Sequence, residues 1–182
     1  MRALTSLDSM FLATEDGRTV ANVCSLAILD RADANGEPLT RRDIQELIAE
    51  RLYLLPPLRW RVADVPLGLG HSWWVDCGSD VDLDFHVRET AVVTPGGRDE
   101  LEALVARLSA HPMDRSKPLW EMYLIHGLQN DRVALLTKLH HAAADGVSVG
   151  EVLNLIFDTT ADGDGPVGGT IEHLDPCANM RT

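Results

Sequence analysis

The chain lacks any run of about 18 apolar residues, so no segment is written as a membrane-spanning helix. Its N-terminus, Met1-Arg2-Ala3-Leu4-Thr5-Ser6-Leu7-Asp8, has no apolar signal core, so any lipid contact is expected to be peripheral. Positive charge is scarce. The 16 Lys and Arg stand against 28 Asp and Glu, a net charge of -12. That balance excludes the basic footprint nucleic acid demands and disfavours electrostatic docking on anionic lipid beyond a local patch. Cysteine is also scarce. Cys24, Cys77 and Cys177 are odd in number and lack metal-ligand spacing, so they read as reduced thiols in a cytosolic protein, and no metal site is expected. There is no Gly-x-Ser-x-Gly elbow, no Cys/His nucleophile signature and no phosphate-cradling Gly loop between strand and helix. No repeat of 20–50 residues is present.

What is present is globular. The 182 residues are 45% hydrophobic and 24% charged, enough for one domain with a real core. Residues 6–15 read as a short capped helix or turn, and 21–29 as a first strand. Thr40-Arg41-Arg42-Asp43 resembles a capping box, with Ile44, Leu47, Ile48 and Leu52 following at helical spacing. Pro56-Pro57 should end that helix. Leu58–Val62, Ser72–Val75 and Leu83–Val87 read as short strands. Arg98–Ala110 is a helix with Leu101, Leu104, Val105 and Leu108 on one face. Trp120–Ile125 and Arg132–Leu139 are strands joined through Gly127–Asp131 as a hairpin. A third helix is expected from about Val147 to Phe157. From Ala161 the chain turns rich in Gly and Asp, as a linker or disordered tail is. This order indicates an α/β fold, with a mixed sheet flanked by helices.

One motif stands out, His140-His141-Ala142-Ala143-Ala144-Asp145-Gly146. Imidazole is the side chain best suited to move a proton near neutral pH. Successive strand side chains face opposite ways, so His140 and His141 do not share a pocket if the strand stays extended. His140 falls on the face of Leu136 and Lys138, His141 on that of Thr137 and Leu139. One imidazole is thus a candidate catalyst and the other a structural group. Asp145 suits a helix N-cap and Gly146 a tight backbone, so Asp145 supports the loop. The bland alternative is a strand–loop–helix junction with two core histidines. A base without a nucleophile partner suits direct attack by a substrate hydroxyl on an activated carbonyl.

These residues resemble the active-site motif of the CoA-dependent acyltransferase superfamily, which includes chloramphenicol acetyltransferase and peptide-synthetase condensation domains. Pro118-Leu119-Trp120-Glu121, Leu124–Leu128, Leu7-Asp8-x-x-Phe11-Leu12-x-x-Glu15 and Pro57-Leu58-Arg59 narrow the resemblance to the wax ester synthase/diacylglycerol acyltransferase family. His126 departs from it, standing where an acidic residue is common.

The resemblance implies a chloramphenicol acetyltransferase-like N-terminal half over 1–160, a linker or tail over 161–182, and no second half. It implies transfer of a fatty acyl group from acyl-CoA, a co-substrate, to a diacylglycerol or long-chain alcohol, without a further cofactor. His141 would be the general base, with His140 and Asp145 completing the catalytic motif. Pro118, Leu119, Trp120 and Gly146 would shape or contact the substrate site. Trp120 has a second reading as a core aromatic. Such a half is expected to be inactive alone, to self-associate or to meet a separate C-terminal half. It would work in the cytoplasm, with peripheral contact to the inner membrane face or a lipid droplet. Two other readings stand beside this one. One is a condensation-type acyltransferase acting on carrier proteins; the other is a non-catalytic lipid-binding or interaction remnant. His71, His86, His111 and His173 read as surface or loop histidines. Trp73-Trp74 reads either as a membrane-facing pair or as one core and one surface ring.

Overall fold

A computed structural model describes residues 1–16, 19–32, 36–65, 72–144 and 170–172. In chain order the elements are β1 (Arg2–Ala3), α1 (Ser6–Thr14), β2 (Asn22–Asp30), α2 (Arg41–Arg51), β3 (Trp60–Ala63) and β4 (Trp73–Asp76). They continue with α3 (Leu83–His86), β5 (Val87–Ala91), α4 (Arg98–Ser109), β6 (Trp120–Leu128), β7 (Arg132–His140) and β8 (Thr170–Glu172). A five-stranded sheet runs β5-β6-β7-β2-β8, and a small one runs β1-β4-β3. The β5–β6 pair is parallel and the other pairs of the large sheet are antiparallel, so the sheet is mixed, as expected.

Local chemistry starts the helices where the sequence says. Thr5 and Asp8 form a capping box on α1, and Thr40 and Asp43 form one on α2. The Glu100 carboxylate accepts from Gly97 N–H at the start of α4.

Strand alternation then sorts the side chains. Val133, Leu135 and Leu139 of β7 join Met122 and Leu124 of β6 in a core closed by Ile44 and Ile48 of α2 and by Trp74. Ala134, Leu136, Tyr123 and Ile125 face the other way, against Leu101, Leu104, Val105 and Leu108 of α4. Each such buried aliphatic side chain stabilises the fold by about 1.5–3 kcal/mol.

The α4 side of the sheet also holds a buried polar cluster. Lys138, 0% exposed, donates from Nζ to His111 O at 2.6 Å and to Glu121 Oε2 at 3.2 Å. Tyr123 OH donates to the same carboxylate at 2.9 Å. Burial, with Glu121 beside it, pushes the Tyr123 hydroxyl up to about 12. Asn22 Nδ2 donates to Ser109 O and His111 O. The segment leaving α4 is thereby fastened to β2 and β7.

Several expectations change. Leu83–His86, expected as strand, is a helical turn, because Asp82 caps it by accepting from Phe85 N at 3.1 Å. Pro56–Arg59 winds a 3-10 turn, so β3 begins only at Trp60. Strand β6 continues past Ile125 to Leu128 through a register shift. Residues 170–172, inside the expected linker, instead pair antiparallel with the edge of β2, as the β-branched Thr170-Ile171 pair suits. The expected helix near 147–157 and the rest of the tail lie outside the described residues.

The histidines and tryptophans also divide. His86, expected at the surface, is fully buried, because α3 carries it under Trp120. His111 is exposed as expected, while His71 and His173 lie outside the described residues. Trp74 is buried and Trp73 is 41% exposed, one core and one surface ring. Cys24 and Cys77 are free and half-buried, and burial pushes the Cys24 thiol up; Cys177 lies outside the described residues. Among the described residues no helix is long and apolar enough to cross a membrane.

Candidate active site

The two histidines sit where β7 ends between its neighbours. His140 pairs with Asn22 of β2, and its N–H donates to Leu119 O on the β6 side at 3.0 Å. The next N–H, that of His141, donates to Ala21 O at 2.7 Å. The chain then leaves the sheet in a 3-10 turn, His141–Ala144. Strand pleat and turn together send the two imidazoles apart.

His140 points inward and is 1% exposed. Its Nδ1 accepts from Ala142 N–H at 3.1 Å, which places the proton of the neutral ring on Nε2. Nε2 lies 3.1 Å from Glu15 Oε1, close enough for charge yet off the line of a good hydrogen bond. Burial lowers the His140 pKa, and the pull of the Glu15 carboxylate only partly opposes it. Burial pushes Glu15 upward, but hydrogen bonds from Arg115 and Ala21 N–H and the nearby positive charges outweigh this and hold it below its usual range. His140 is therefore an anchor for the turn, with both ring nitrogens turned toward protein.

His141 is its opposite. The residue is exposed, and the flat of its ring stacks on Phe11 of α1, with centroids 3.9 Å apart and planes at 20°. Among the described residues nothing hydrogen-bonds its ring nitrogens. Among the described residues, the nitrogen-bearing edge of this imidazole is thus available to take a proton.

Helix α1 supplies the platform. Trp74 Nε1 donates to Asp8 Oδ2 at 2.9 Å near its start. Near its end Arg115 Nη2 donates to Leu12 O and, at 2.9 Å, to Glu15 Oε2. Glu15 Oε1 accepts from Ala21 N–H at 3.1 Å, and Ala21 in turn holds the His141 backbone.

The Pro118-Leu119-Trp120 segment lies directly across β6 from the histidines, with Trp120 in register with Leu139. Leu119 and Trp120 are 0% and 1% exposed. Trp120 Nε1 donates to Leu58 O at 2.8 Å, and its ring stacks on His86 at 4.3 Å. His86 Nδ1 donates to Trp120 O at 2.7 Å, and burial lowers its pKa. Pro118 borders a cleft of about 420 Å³ that Arg61, Cys77 and Lys117 also line. Asp145 and Gly146 lie outside the described residues.

Sequence reasoning thus located the two histidines and their separation, but not the partners of either. Phe11 and Glu15 stood out only within the N-terminal resemblance. Nothing marked His86, whose alternating neighbours imitate a strand.

Comparison with known proteins agrees with this architecture. Over 157 residues the chain is 40% identical to the Mycobacterium tuberculosis protein named probable diacylglycerol O-acyltransferase tgs3, covering 86% of this chain and 56% of that protein. It is 39% identical over 163 residues to Rv3087 of the same organism, which bears the diacylglycerol O-acyltransferase name provisionally, covering 89% of this chain and 34% of that one. The wax ester synthase/diacylglycerol acyltransferase structure from Marinobacter aquaeolei VT8 superposes with a TM-score of 0.65 at 31% identity, covering 84% of this chain and 37% of that one. A starter condensation domain of rhizomide synthetase RzmA shares the fold, with a TM-score of 0.59 at 12% identity and coverage of 78% and 34%. The chain thus spans between about a third and just over half of the length of its named relatives. The model of the wax ester synthase/diacylglycerol acyltransferase catalytic domain matches residues 4–172, and the chain belongs to that family.

Proposed function

We propose that this chain carries the proton-transfer centre of an O-acyltransferase that moves a fatty acyl group from acyl-CoA to the hydroxyl of a diacylglycerol or a long-chain alcohol. The observation that carries the reading is the contrast within the motif: His140 is buried, with Nδ1 bonded to Ala142 N–H and Nε2 beside Glu15, while His141 is exposed and its ring nitrogens meet no partner among the described residues.

His141 accepts the proton of the acceptor hydroxyl as its oxygen attacks the thioester carbonyl. The C–O bond forms, the C–S bond breaks, and the CoA thiolate takes the proton back from His141. General-base help of this kind is worth about 10²–10⁴ in rate. His140 and Glu15 hold the turn, Asp145 supports the loop that follows, and Gly146 lets the backbone approach the substrate there. Pro118, Leu119 and Trp120 shape the wall of the acyl site. No cofactor beyond the acyl-CoA co-substrate enters this scheme.

In this scheme residues 1–160 make up the base-bearing domain, to whose sheet residues 170–172 add an edge strand. The relatives are longer, and we assign the remaining walls of the water-excluding channel to the portion this chain does not cover. A second half of similar fold, or another copy of the chain, would close the channel. The lipid acceptors place the reaction at a cytoplasmic lipid surface. The condensation-type alternative rests on 12% identity, against 31% for the wax ester synthase/diacylglycerol acyltransferase structure.

Labelled acyl-CoA with diacylglycerol or hexadecanol tests the scheme, using the chain alone and mixed with the uncovered portion of the Marinobacter enzyme. Ester should form in the mixture, little should form with the chain alone, and His141→Ala should abolish it. Ester formation that survives His141→Ala refutes the base. No ester in any mixture refutes the activity and favours a lipid-binding role.

A further inference from the structure

We propose that Phe11 is a positioning residue for His141: its ring lies flat under the imidazole, fixes its plane and stabilises it once it carries the proton. This rests on the reading of His141 as the base, but its test can be scored without any ester being made.

The geometry comes first. Centroids 3.9 Å apart with planes at 20° make a near-parallel stack, so Phe11 covers one face of the imidazole and not its nitrogen-bearing edge. The platform is also held from both sides. Asp8, accepting from Trp74 Nε1 and capping Thr5, fixes the start of α1, while Arg115 and Glu15 fix its end. Phe11 lies between these anchors and packs partly buried against the main core.

The chemistry follows from the ring. The face of an aromatic ring carries negative potential and attracts a cation within about 6 Å of its centroid. His141 is uncharged before it takes the hydroxyl proton and cationic after. The stack therefore favours the product of proton transfer over the starting ring, and it does so most where charge is developing.

Among the described residues, the other charges near the His141–Ala144 turn each have a partner. They are Asp8 and Glu15 on α1, Arg59 on the 56–59 turn, Arg115, and His140 and Lys138 on β7. Asp8 is engaged by Trp74, Glu15 by Arg115 and His140, Arg59 by Asp76, and Lys138 by Glu121. These are common to the parent and to variants at position 11, so differences among those variants report the ring itself.

The test is histidine-ring NMR on the whole chain with labelled histidine, the His141 signal being assigned by its loss in His141→Gln. The titration midpoint of that signal is compared among the parent, Phe11→Leu, Phe11→Tyr and the chain with pentafluorophenylalanine at position 11. Leucine keeps apolar bulk without an aromatic face, and perfluorination reverses the sign of the ring potential at nearly constant shape. The expected order of midpoints is parent and Phe11→Tyr highest, Phe11→Leu lower by roughly half a pH unit, and the fluorinated chain lowest. In the ester assay Phe11→Leu should lower kcat by roughly threefold with KM unchanged. A midpoint insensitive to fluorination, or one that rises in Phe11→Leu, overturns the proposal. If Phe11→Leu does not fold, the near-isosteric fluorinated chain decides alone. Absence of ester formation with the midpoint order intact overturns the proposed activity, and ester that survives His141→Ala overturns the base; either leaves the stacking effect standing.

Discussion

His140 and His141 are neighbours in the chain and occupy different worlds. Around His140 everything is committed: Nδ1 receives the Ala142 N–H, Nε2 faces Glu15, and both flanking strands pair with its backbone. Around His141, among the described residues, only the backbone and one ring face are held. The difference teaches how a sheet can hold one side chain and leave the next accessible. The interior supplies rigidity through a group it takes out of chemistry, and the next residue inherits the position without the partners.

The largest test of that contrast is a pair of alanine variants. His141→Ala should cut ester formation by about 10²–10⁴ while changing folding stability by less than about 1 kcal/mol. His140→Ala should do the reverse in stability, costing about 2–3 kcal/mol, because it strands the Ala142 N–H and leaves Glu15 facing a void. Chemical denaturation and turnover measured on the same samples separate them. Equal ratios of lost activity to lost stability would erase the distinction. The tryptophans extend it. Trp120→Ala should cost about 3–5 kcal/mol, since its ring is buried, stacked and hydrogen-bonded, whereas Trp73→Ala should stay within about 0.5 kcal/mol. If both matched, the core reading of Trp120 would be wrong.

A smaller effect appears with pH. His86 and His140 have folded values below the usual 6.5, so the unfolded chain binds more protons in that window and stability rises with pH. Their contribution is full above the usual value and lost as pH falls toward and through the folded ones. His86→Gln, keeping a donor for Trp120 O, should flatten part of this slope in unfolding midpoints taken from pH 5 to 8. Glu15 lies below its usual 4.5, so its contribution persists above that value and disappears in more acid solution. Glu15→Gln should remove this later loss and leave the histidine window in place. A slope unchanged in His86→Gln would count against its buried, neutral state.

The features that were legible in the sequence are local ones. The capping box at Thr40 needs only a side chain and the N–H group three residues on, so it was readable, as were a capped element over 6–15 and the apolar face of α4. The β6–β7 hairpin is likewise a short-range object, and it delivers Pro118-Leu119-Trp120 to the side of the histidines. Features decided by distant packing were not readable. Leu83-Asp84-Phe85-His86 alternates like a strand, but Asp82 capping and the berth beneath Trp120 make it a helical turn. Phe11 meets His141, and Glu15 meets His140, only because α1 is laid across the end of the sheet, which no periodicity encodes.

That crossing helix has a mechanical consequence. At 1.5 Å per residue, the nine residues of α1 make a rod about 14 Å long. One end is tied through Asp8 and Trp74 to the small sheet, and the other through Glu15 to the close of β7. A rod has few internal degrees of freedom, so the helix ties the small sheet to the end of β7 and Phe11 sits on that tie. Strand β4, through Trp74, thus shares in holding the platform on which the His141 ring rests.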